Sequence, residues 1–359
     1  MTPVAEAVAE SLSPAASSQQ ETEAPVHPSR TRWIFAVLWA TLAILTICSL
    51  LFGRYTIPWH DWWRVFADQD STDLSNIVLL QVRLPRVLAA LLIGGGLSVS
   101  GAAFQGLFRN PMASPDILGA YAGAGFGASL GILIGFDIVG IQLLGLVGGV
   151  AAMLLVWLLA SAATRAGGDP TLTLILVGII VREAGMALIR LTEYVADPHG
   201  KLAAITFWLV GGLSAVNLHD LEFAAVPILL GTIPMLLLRW RLNVLSFGEE
   251  EAQALGVNPW RIRIVIIVCS ALISAAVVSI AGMIMWVGLV IPHLARMVVG
   301  ANHKALLPAS FLIGSIYLLL VDDCARGLFT LEVPLGILTS LVGVPFFLYL
   351  VYRTRTERA

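Results

Sequence analysis

Uninterrupted apolar runs of about 20 residues recur along the whole chain and constrain its fold more than any motif. A helix needs about 20 predominantly apolar residues to cross a bilayer, and one such run extends from Trp33 to Phe52. We therefore predict an all-α polytopic membrane protein with about ten transmembrane helices. Cutting the sequence at charges, prolines and glycine clusters places them near residues 33–53, 84–107, 115–135, 138–163, 171–192, 219–239, 262–282, 285–299, 307–328 and 335–352. The segments 262–282 and 285–299 could instead form one kinked unit.

The composition excludes several other classes of protein. Only 12% of the 359 residues are charged and 58% are hydrophobic, with a mean hydropathy of +0.88, whereas soluble domains are about 25% charged. A soluble enzyme is thereby excluded. The net charge of −2 gives no electrostatic basis for nucleic-acid binding. Continuous apolar runs also differ from the alternating pattern of a transmembrane β-barrel.

Both ends of the chain are predicted to lie in the cytoplasm. Residues 1–29 are rich in Ala, Ser, Glu, Pro and Gln and poor in large apolar side chains, so we predict a disordered N-terminal tail. Residues 30–353 would form the transmembrane domain, and residues 354–359 a short C-terminal tail. Thirteen of the 21 lysines and arginines then fall in inner segments, as the positive-inside rule requires.

Glycines at four-residue spacing mark one face of the third predicted span. They are Gly119, Gly123, Gly127 and Gly131, and small residues of this kind let membrane helices approach closely. Tight helix packing is the main interpretation, and a conformationally mobile helix is the alternative.

Motifs for covalent, metal or nucleotide chemistry are missing from the sequence. The only Gly-Lys pair, Gly200 and Lys201, has no glycine-rich loop before it, so we expect no ATP hydrolysis by this chain. The six histidines and three cysteines are scattered without metal-ligand spacing. We therefore predict no catalytic residue, no metal ligand and no cofactor bound by this chain.

Two groups of charged residues are candidates for function. Arg83 and Arg86 flank Pro85 at the start of the second span, and we expect their guanidinium groups to face the outer water, either for a partner or simply by snorkelling. Arg182 and Glu183 lie inside the fifth span, where ionisable residues indicate function by default. Neighbouring residues diverge by about 100° on a helix, so this pair needs partners on other helices or water. Structural pairing and the lining of a transport pathway both fit.

The inner loop at residues 247–261 has the pattern of two short helices. Three glutamates favour a helix N-terminus, Gly256 is placed to end that helix, and Pro259 can open the next one. The apolar residues between them would be available to a partner, although an ordinary amphipathic loop fits equally well. The residues concerned are Glu249, Glu250, Glu251, Ala252, Leu255, Gly256 and Val257.

Several motifs in register resemble the permease subunits of binding-protein-dependent ABC importers for iron siderophores, haem and cobalamin. The resemblance covers roughly residues 33–352. It rests on Arg83 to Arg86, Gly101, Gln105, Asn110, Pro111, Ala113, Pro115, Leu118 and Gly119, then Trp208, Gly211 to Leu213, Leu255 to Val257, Gly288 to His293, Arg296, His303, Leu306 to Pro308, Asp322, Arg326, Glu332, Pro334 and Gly336.

The resemblance implies a type II ABC importer permease fold and several partners. These are a second permease copy in a homodimer, two cytoplasmic ABC ATPase subunits that bind ATP and Mg²⁺, a periplasmic substrate-binding protein and the lipid bilayer. By residue, it implies binding-protein docking at Arg83, Arg86 and Arg326, ATPase coupling through the loop matching 247–261, and a cytoplasmic gate at Asn110, Met112 and the turn near Thr171.

The implied function is import of a metal chelate across the bacterial inner membrane, powered by the partner ATPase. A ferric siderophore is the preferred cargo, with haem or cobalamin next. A secondary transporter driven by an ion gradient is the alternative, but the sequence shows no inverted repeat to support it.

Overall fold

A computed structural model describes residues 28–53, 55, 74–165, 170–327 and 331–356. Within these ranges the chain is built from helices and contains no β-strand. The helices are α1 Pro28–Leu51, α2 Leu74–Phe108, α3 Ala120–Ile134, α4 Ile138–Arg165, α5 Pro170–Val195, α6 Lys201–Val210, α7 Leu218–Leu237, α8 Arg239–Phe247, α9 Glu249–Ala254, α10 Pro259–Ala281, α11 Val287–Val299, α12 His303–Gly327 and α13 Leu335–Thr356, with a 3-10 turn at Pro115–Leu118.

The predicted membrane spans agree with this arrangement. Seven helices of the described chain are long and apolar enough to cross a membrane, and they are α1, α2, α4, α5, α7, α10 and α12. The shorter apolar helices α3, α11 and α13 fall at the other three predicted spans. The remaining short apolar helix, α6, lies between the fifth and sixth predicted spans and is followed by Gly211 and Gly212.

Residues 259–299 form two separate helices, α10 and α11, with a break between them. Gly282 follows the last residue of α10 with a φ of +67°, and Trp286 precedes α11 with a φ of +72°. These left-handed conformations end one helix and begin the next. The kinked-unit alternative for residues 262–299 is therefore wrong.

Three predicted boundaries differ from the structure. Helix α2 begins at Leu74 and passes through a π-helical segment, Ile77–Arg83, so it starts ten residues before the predicted second span, 84–107. Helix α1 begins at Pro28, inside the predicted tail, and α13 continues to Thr356. The rest of both predicted tails lies outside the described residues. The ends of α1, α2 and α13 could not be placed from apolar runs alone, because the last turns of a helix also depend on local packing.

Helices α2 and α10 form the centre of the bundle, because most of their side chains are buried. Close packing of α2 against α12 depends on small residues: a Cβ at Gly94 would overlap the carbonyl oxygen of Gly314. The Ser315 hydroxyl also donates to the Leu91 carbonyl across this interface, at 2.7 Å. A glycine contact and a polar contact thus hold the two helices together, as is common in membranes.

The glycine face of α3 packs tightly, as predicted. A Cβ at Gly127 would overlap the Leu144 carbonyl oxygen, and one at Gly123 would contact the Gly148 carbonyl oxygen at 2.5 Å. Both neighbours belong to α4, so Gly123 and Gly127 mark the α3–α4 contact, whereas Gly119 precedes α3 with a φ of +78° and a Cβ there would face α5. The backbones approach because no side chain separates them.

Gly101→Ala is expected to destabilise the bundle by about 1–3 kcal/mol. A Cβ at this position on α2 would overlap the Gly288 carbonyl oxygen on α11, and a backbone atom cannot rotate away as a side chain can. The matched control is Gly212→Ala, where a Cβ meets no atom within 4 Å. Thermal unfolding of both variants in detergent tests this prediction, and equal midpoints would contradict it.

Candidate functional site

A cluster of charged side chains lies where the N-terminal half of α2 meets the end of α12. The Arg86 Nε donates to both carboxylate oxygens of Asp322, at 2.8 and 3.0 Å, and one Arg86 Nη donates to Glu332 at 2.9 Å. The Asp322 side chain is fully buried and that of Arg86 is 6% exposed. Arg86 therefore links α2 both to α12 and to the segment that precedes α13.

Arg326 completes the cluster from α12. Its Nε lies 3.1 Å from Asp322, one turn earlier, and an Nη contacts Asp323 and the hydroxyl of Ser49 on α1. Asp322 therefore sits between two arginines. Because a buried charge needs a partner of opposite sign, these contacts hold α1, α2 and α12 together.

Arg83 makes a different set of contacts. It donates to the backbone carbonyl oxygens of Leu50 and Leu51 at 2.7 and 3.0 Å, and to that of Tyr55. Arg83 and Arg86 were expected to face the outer water, but both residues are buried. The physical reason is that carbonyl and carboxylate oxygens are within reach of both guanidinium groups. The docking role of Arg83, Arg86 and Arg326 stays a prediction.

The short helices α8 and α9 lie at the opposite end of the bundle. Helix α10 connects the two ends, because it starts beside α9 and finishes at Ala281 in a small cavity that Arg86 and Glu332 also line. As predicted, three glutamates begin α9, and Gly256 follows it with a φ of +75°. Asn258 then caps α10 by accepting a hydrogen bond from the Arg261 backbone at 3.2 Å.

One part of the coupling prediction is wrong. Ala252 and Val257 were expected to be available to a partner, but they are 0% and 6% exposed and belong to the main hydrophobic core. The Val257 N–H donates to the Ala252 carbonyl at 2.8 Å, which closes the turn after α9. Leu255 remains accessible at 62% exposed, as do Glu250 and Glu251. The exposed large apolar side chains of the loop 247–261 are Phe247, Leu255 and Trp260, and their contact with a partner stays a prediction.

Two of the predicted gate residues, Asn110 and Met112, follow the C-terminal end of α2 at Phe108. Asn110 is exposed, and its side-chain oxygen accepts a hydrogen bond from the Met112 backbone at 2.9 Å. Met112 is 46% exposed and lines a small cavity with His293 and Phe346, whose rings meet edge to face. Thr171 belongs to α5, but its side chain lies outside the described residues. The gate stays a prediction.

The Arg182 and Glu183 side chains pair with each other, at 2.8 Å. The expectation that they need partners elsewhere is therefore wrong, because long side chains can bend toward one another despite diverging Cα–Cβ directions. Both are partly exposed, at 41% and 59%. The Arg182 Nε is buried and makes no hydrogen bond within the described chain. Their place in a pathway stays a prediction.

A buried polar contact that the sequence did not predict joins α2 to α11. Gln105 donates to the Leu289 carbonyl at 3.2 Å and accepts from Arg296 at 2.7 Å. Gln105 and Arg296 each formed part of the family resemblance, but nothing in their spacing pairs them. Within the described residues, no group of three or more His, Cys, Asp or Glu side chains could hold a metal ion.

This arrangement of apolar helices defines a multi-span membrane protein, and comparisons give its family. Residues 41–353 match the FecCD transport family, and the chain belongs to that family. The chain is 42% identical to the molybdate import system permease protein MolB of Haemophilus influenzae, over 88% of this chain and 94% of that protein. It is 39% identical to a probable iron chelatin transport system permease of Helicobacter pylori, over 87% and 96%.

A solved structure agrees with the fold. It is an inward-facing metal-chelate type ABC transporter, 41% identical to this chain, with a TM-score of 0.80 over 90% of this chain and 99% of the other. The chain is thus a permease subunit of an ABC importer for metal chelates, and a transport subunit rather than an enzyme. The family implies an ATPase and a substrate-binding protein as partners.

Proposed function

We propose that this chain forms the membrane pathway of an ABC importer that carries an intact metal chelate inward, driven by ATP hydrolysis in partner subunits. The observation that carries this proposal is the match over nearly the whole chain to an inward-facing metal-chelate type transporter. ATP and Mg²⁺ would be bound by the ATPase pair and no cofactor by this chain. A gradient-driven transporter would need midplane ion sites, and the family match favours the ABC importer.

The proposed assembly is a homodimer of this chain with two ATPase subunits on the cytoplasmic side. Both termini, α8 and α9 would lie in the cytoplasm of a bacterial inner-membrane protein, since most basic residues fall at that end. The arginine cluster would then face the outer side. Carboxylates of a binding protein would dock there, because Arg forms strong charge-assisted pairs with carboxylates.

We propose a ferric chelate such as a ferric siderophore as cargo, with haem or cobalamin as further chelates. The Helicobacter pylori relative, named for iron chelatin, supports this choice. Molybdate is a second candidate, favoured by the 42% identity to MolB.

Uptake assays with the assembled importer test the proposal. Proteoliposomes would contain the chain with its partner ATPase and binding protein, and would receive ⁵⁵Fe-siderophore or ⁹⁹Mo-molybdate. ATP-dependent accumulation of iron would support the chelate, and accumulation of molybdate alone would support the second candidate. Transport driven by a proton gradient without any ATPase would overturn the proposal.

Glu332→Gln is expected to tighten docking of the binding protein by up to about fivefold. Glu332 occupies one Arg86 Nη at 2.9 Å and its side chain is 35% exposed, so it competes with any incoming carboxylate. The measurement is the dissociation constant of the binding protein for the permease in nanodiscs.

Glu222→Gln is the matched control for this experiment, because Glu222 is an exposed carboxylate near the start of α7, outside the charged cluster. Removing a distant surface charge should change the affinity much less. Weaker docking of Glu332→Gln, or equal changes in both variants, would contradict competition at Arg86.

A further inference from the structure

A groove of about 340 Å³ runs between the ends of α4, α5 and α10, on the same side of the bundle as α9. Its inner wall is apolar and buried, formed by Ala160, Leu174 and Ile267. Two tryptophans, Trp157 and Trp260, line it and are 37% and 49% exposed. The groove therefore offers an apolar channel between two tryptophan rings, beside the predicted gate turn near Thr171 and the loop 247–261.

The polar end of this groove is positively charged. Among the described residues that line it, the charged side chains are Arg165 and Arg263, accompanied by the hydroxyl residues Ser161 and Thr164. Arg165 is exposed at the last turn of α4. Arg263 pairs with Glu249 at 2.5 Å, and Glu249 lies outside the groove. Glu249 thus balances the charge of Arg263, and the charge of Arg165 remains for an anionic ligand.

We propose that this groove binds an anionic phospholipid. Tryptophan side chains favour the depth of the lipid headgroups, and basic pockets between helices bind acidic headgroups. Trp157 and Trp260 would place the groove at that depth, Arg165 and Arg263 would contact the phosphate, and an acyl chain would lie along the apolar wall. The chemistry at both ends of the groove thus matches one amphipathic molecule.

The charge pattern favours a lipid over the two protein occupants. A second copy of this chain would have to bury two like-charged arginines, which is costly without matching carboxylates. The partner ATPase would contact the loop 247–261, whose exposed large apolar side chains are Phe247, Leu255 and Trp260, and the first two do not line the groove. An acyl chain would fill an apolar groove at the depth of the membrane without burying an unpaired charge.

Native mass spectrometry of the purified full chain tests the proposal. The chain in detergent would receive phosphatidylglycerol or phosphatidylcholine with identical acyl chains. We expect preferential retention of one phosphatidylglycerol per chain, and about a fivefold loss of that retention in Arg165→Gln, since one basic residue near a membrane surface contributes about 1 kcal/mol. Trp260→Ala should lower retention of both lipids.

Arg241→Gln is the matched control, because Arg241 is an exposed arginine on α8 outside the groove. It should retain phosphatidylglycerol as the unmodified chain does, with the thermal midpoints of all variants measured to exclude unfolding. Equal retention of both lipids, an equal loss in Arg241→Gln, displacement by inorganic phosphate, or displacement by added ATPase would each overturn the proposal. None of these outcomes depends on transport, so they are distinguishable from failure of the proposed function.

Discussion

Asp322→Asn is expected to destabilise the folded chain by about 3 kcal/mol, at the lower end of the cost of breaking a buried ion pair. The Asp322 carboxylate is fully buried and contacts both Arg86 and Arg326, whose side chains are 6% and 8% exposed. Removing its charge leaves two desolvated guanidinium groups with one fewer counter-charge. The loss stays near 3 kcal/mol because Arg86 keeps Glu332 and Arg326 keeps Asp323.

Equilibrium unfolding in mixed micelles measures this effect, and Asp323→Asn is the control. Asp323 is 18% exposed and pairs with Arg326 without contacting Arg86 in the described contacts, so its loss should cost less. The double variant Asp322→Asn with Arg86→Gln should be less destabilised than the sum of the single variants, because the two groups share one interaction. Unchanged stability in Asp322→Asn would contradict a structural role for the cluster.

This role of the cluster changes how docking has to be tested. Reversing the charge of Arg86 would break its bonds to Asp322 and Glu332 as well as any contact with a binding protein. Loss of uptake in that variant would therefore not separate docking from misfolding. Variants of Glu332 leave the buried Arg86–Asp322 pair intact, so they report on docking more directly.

Local signals in the sequence predicted most of the helices. Apolar runs of membrane length indicated the spans, and the glutamates before Ala252, the glycine at 256 and Pro259 indicated the boundaries of α9 and α10. These signals act within one turn of a helix, so they can be read without knowing the fold.

Contacts between distant segments could not be predicted in the same way. Arg86 and Asp322 are 236 positions apart, and no local pattern states that the N-terminal half of α2 meets the end of α12. Similarly, the inward direction of Ala252 and Val257 follows from how a six-residue helix lies on the bundle. A short apolar segment gives the same pattern whether it faces a partner or the core.

Leu255→Asp is expected to weaken binding of the partner ATPase by about thirtyfold or more, the effect of losing a central hot-spot contact. Leu255 is 62% exposed directly after α9, and an exposed leucine at this site offers an apolar anchor for a cleft. A carboxylate there would be desolvated without a partner on association. Because the side chain points away from the core, the free permease should keep its stability.

Binding of the purified ATPase to the permease in nanodiscs measures this prediction. Leu331→Asp is the control, because Leu331 is an 82% exposed leucine beyond α12, at the opposite end of the bundle. It should leave ATPase affinity unchanged. Equal affinities for Leu255→Asp and the unmodified chain would contradict the coupling role of this loop.

The same variant should also lose ATP-driven uptake, since α9 is firmly attached to the central helix α10. The Glu249–Arg263 pair joins α9 to α10 at 2.5 Å, and Ala252 and Val257 are packed into the main core. A displacement of α9 by the ATPase would therefore be passed to α10, which extends to the cavity beside Arg86. If uptake persisted in Leu255→Asp while ATPase binding was lost, energy would have to enter the permease elsewhere.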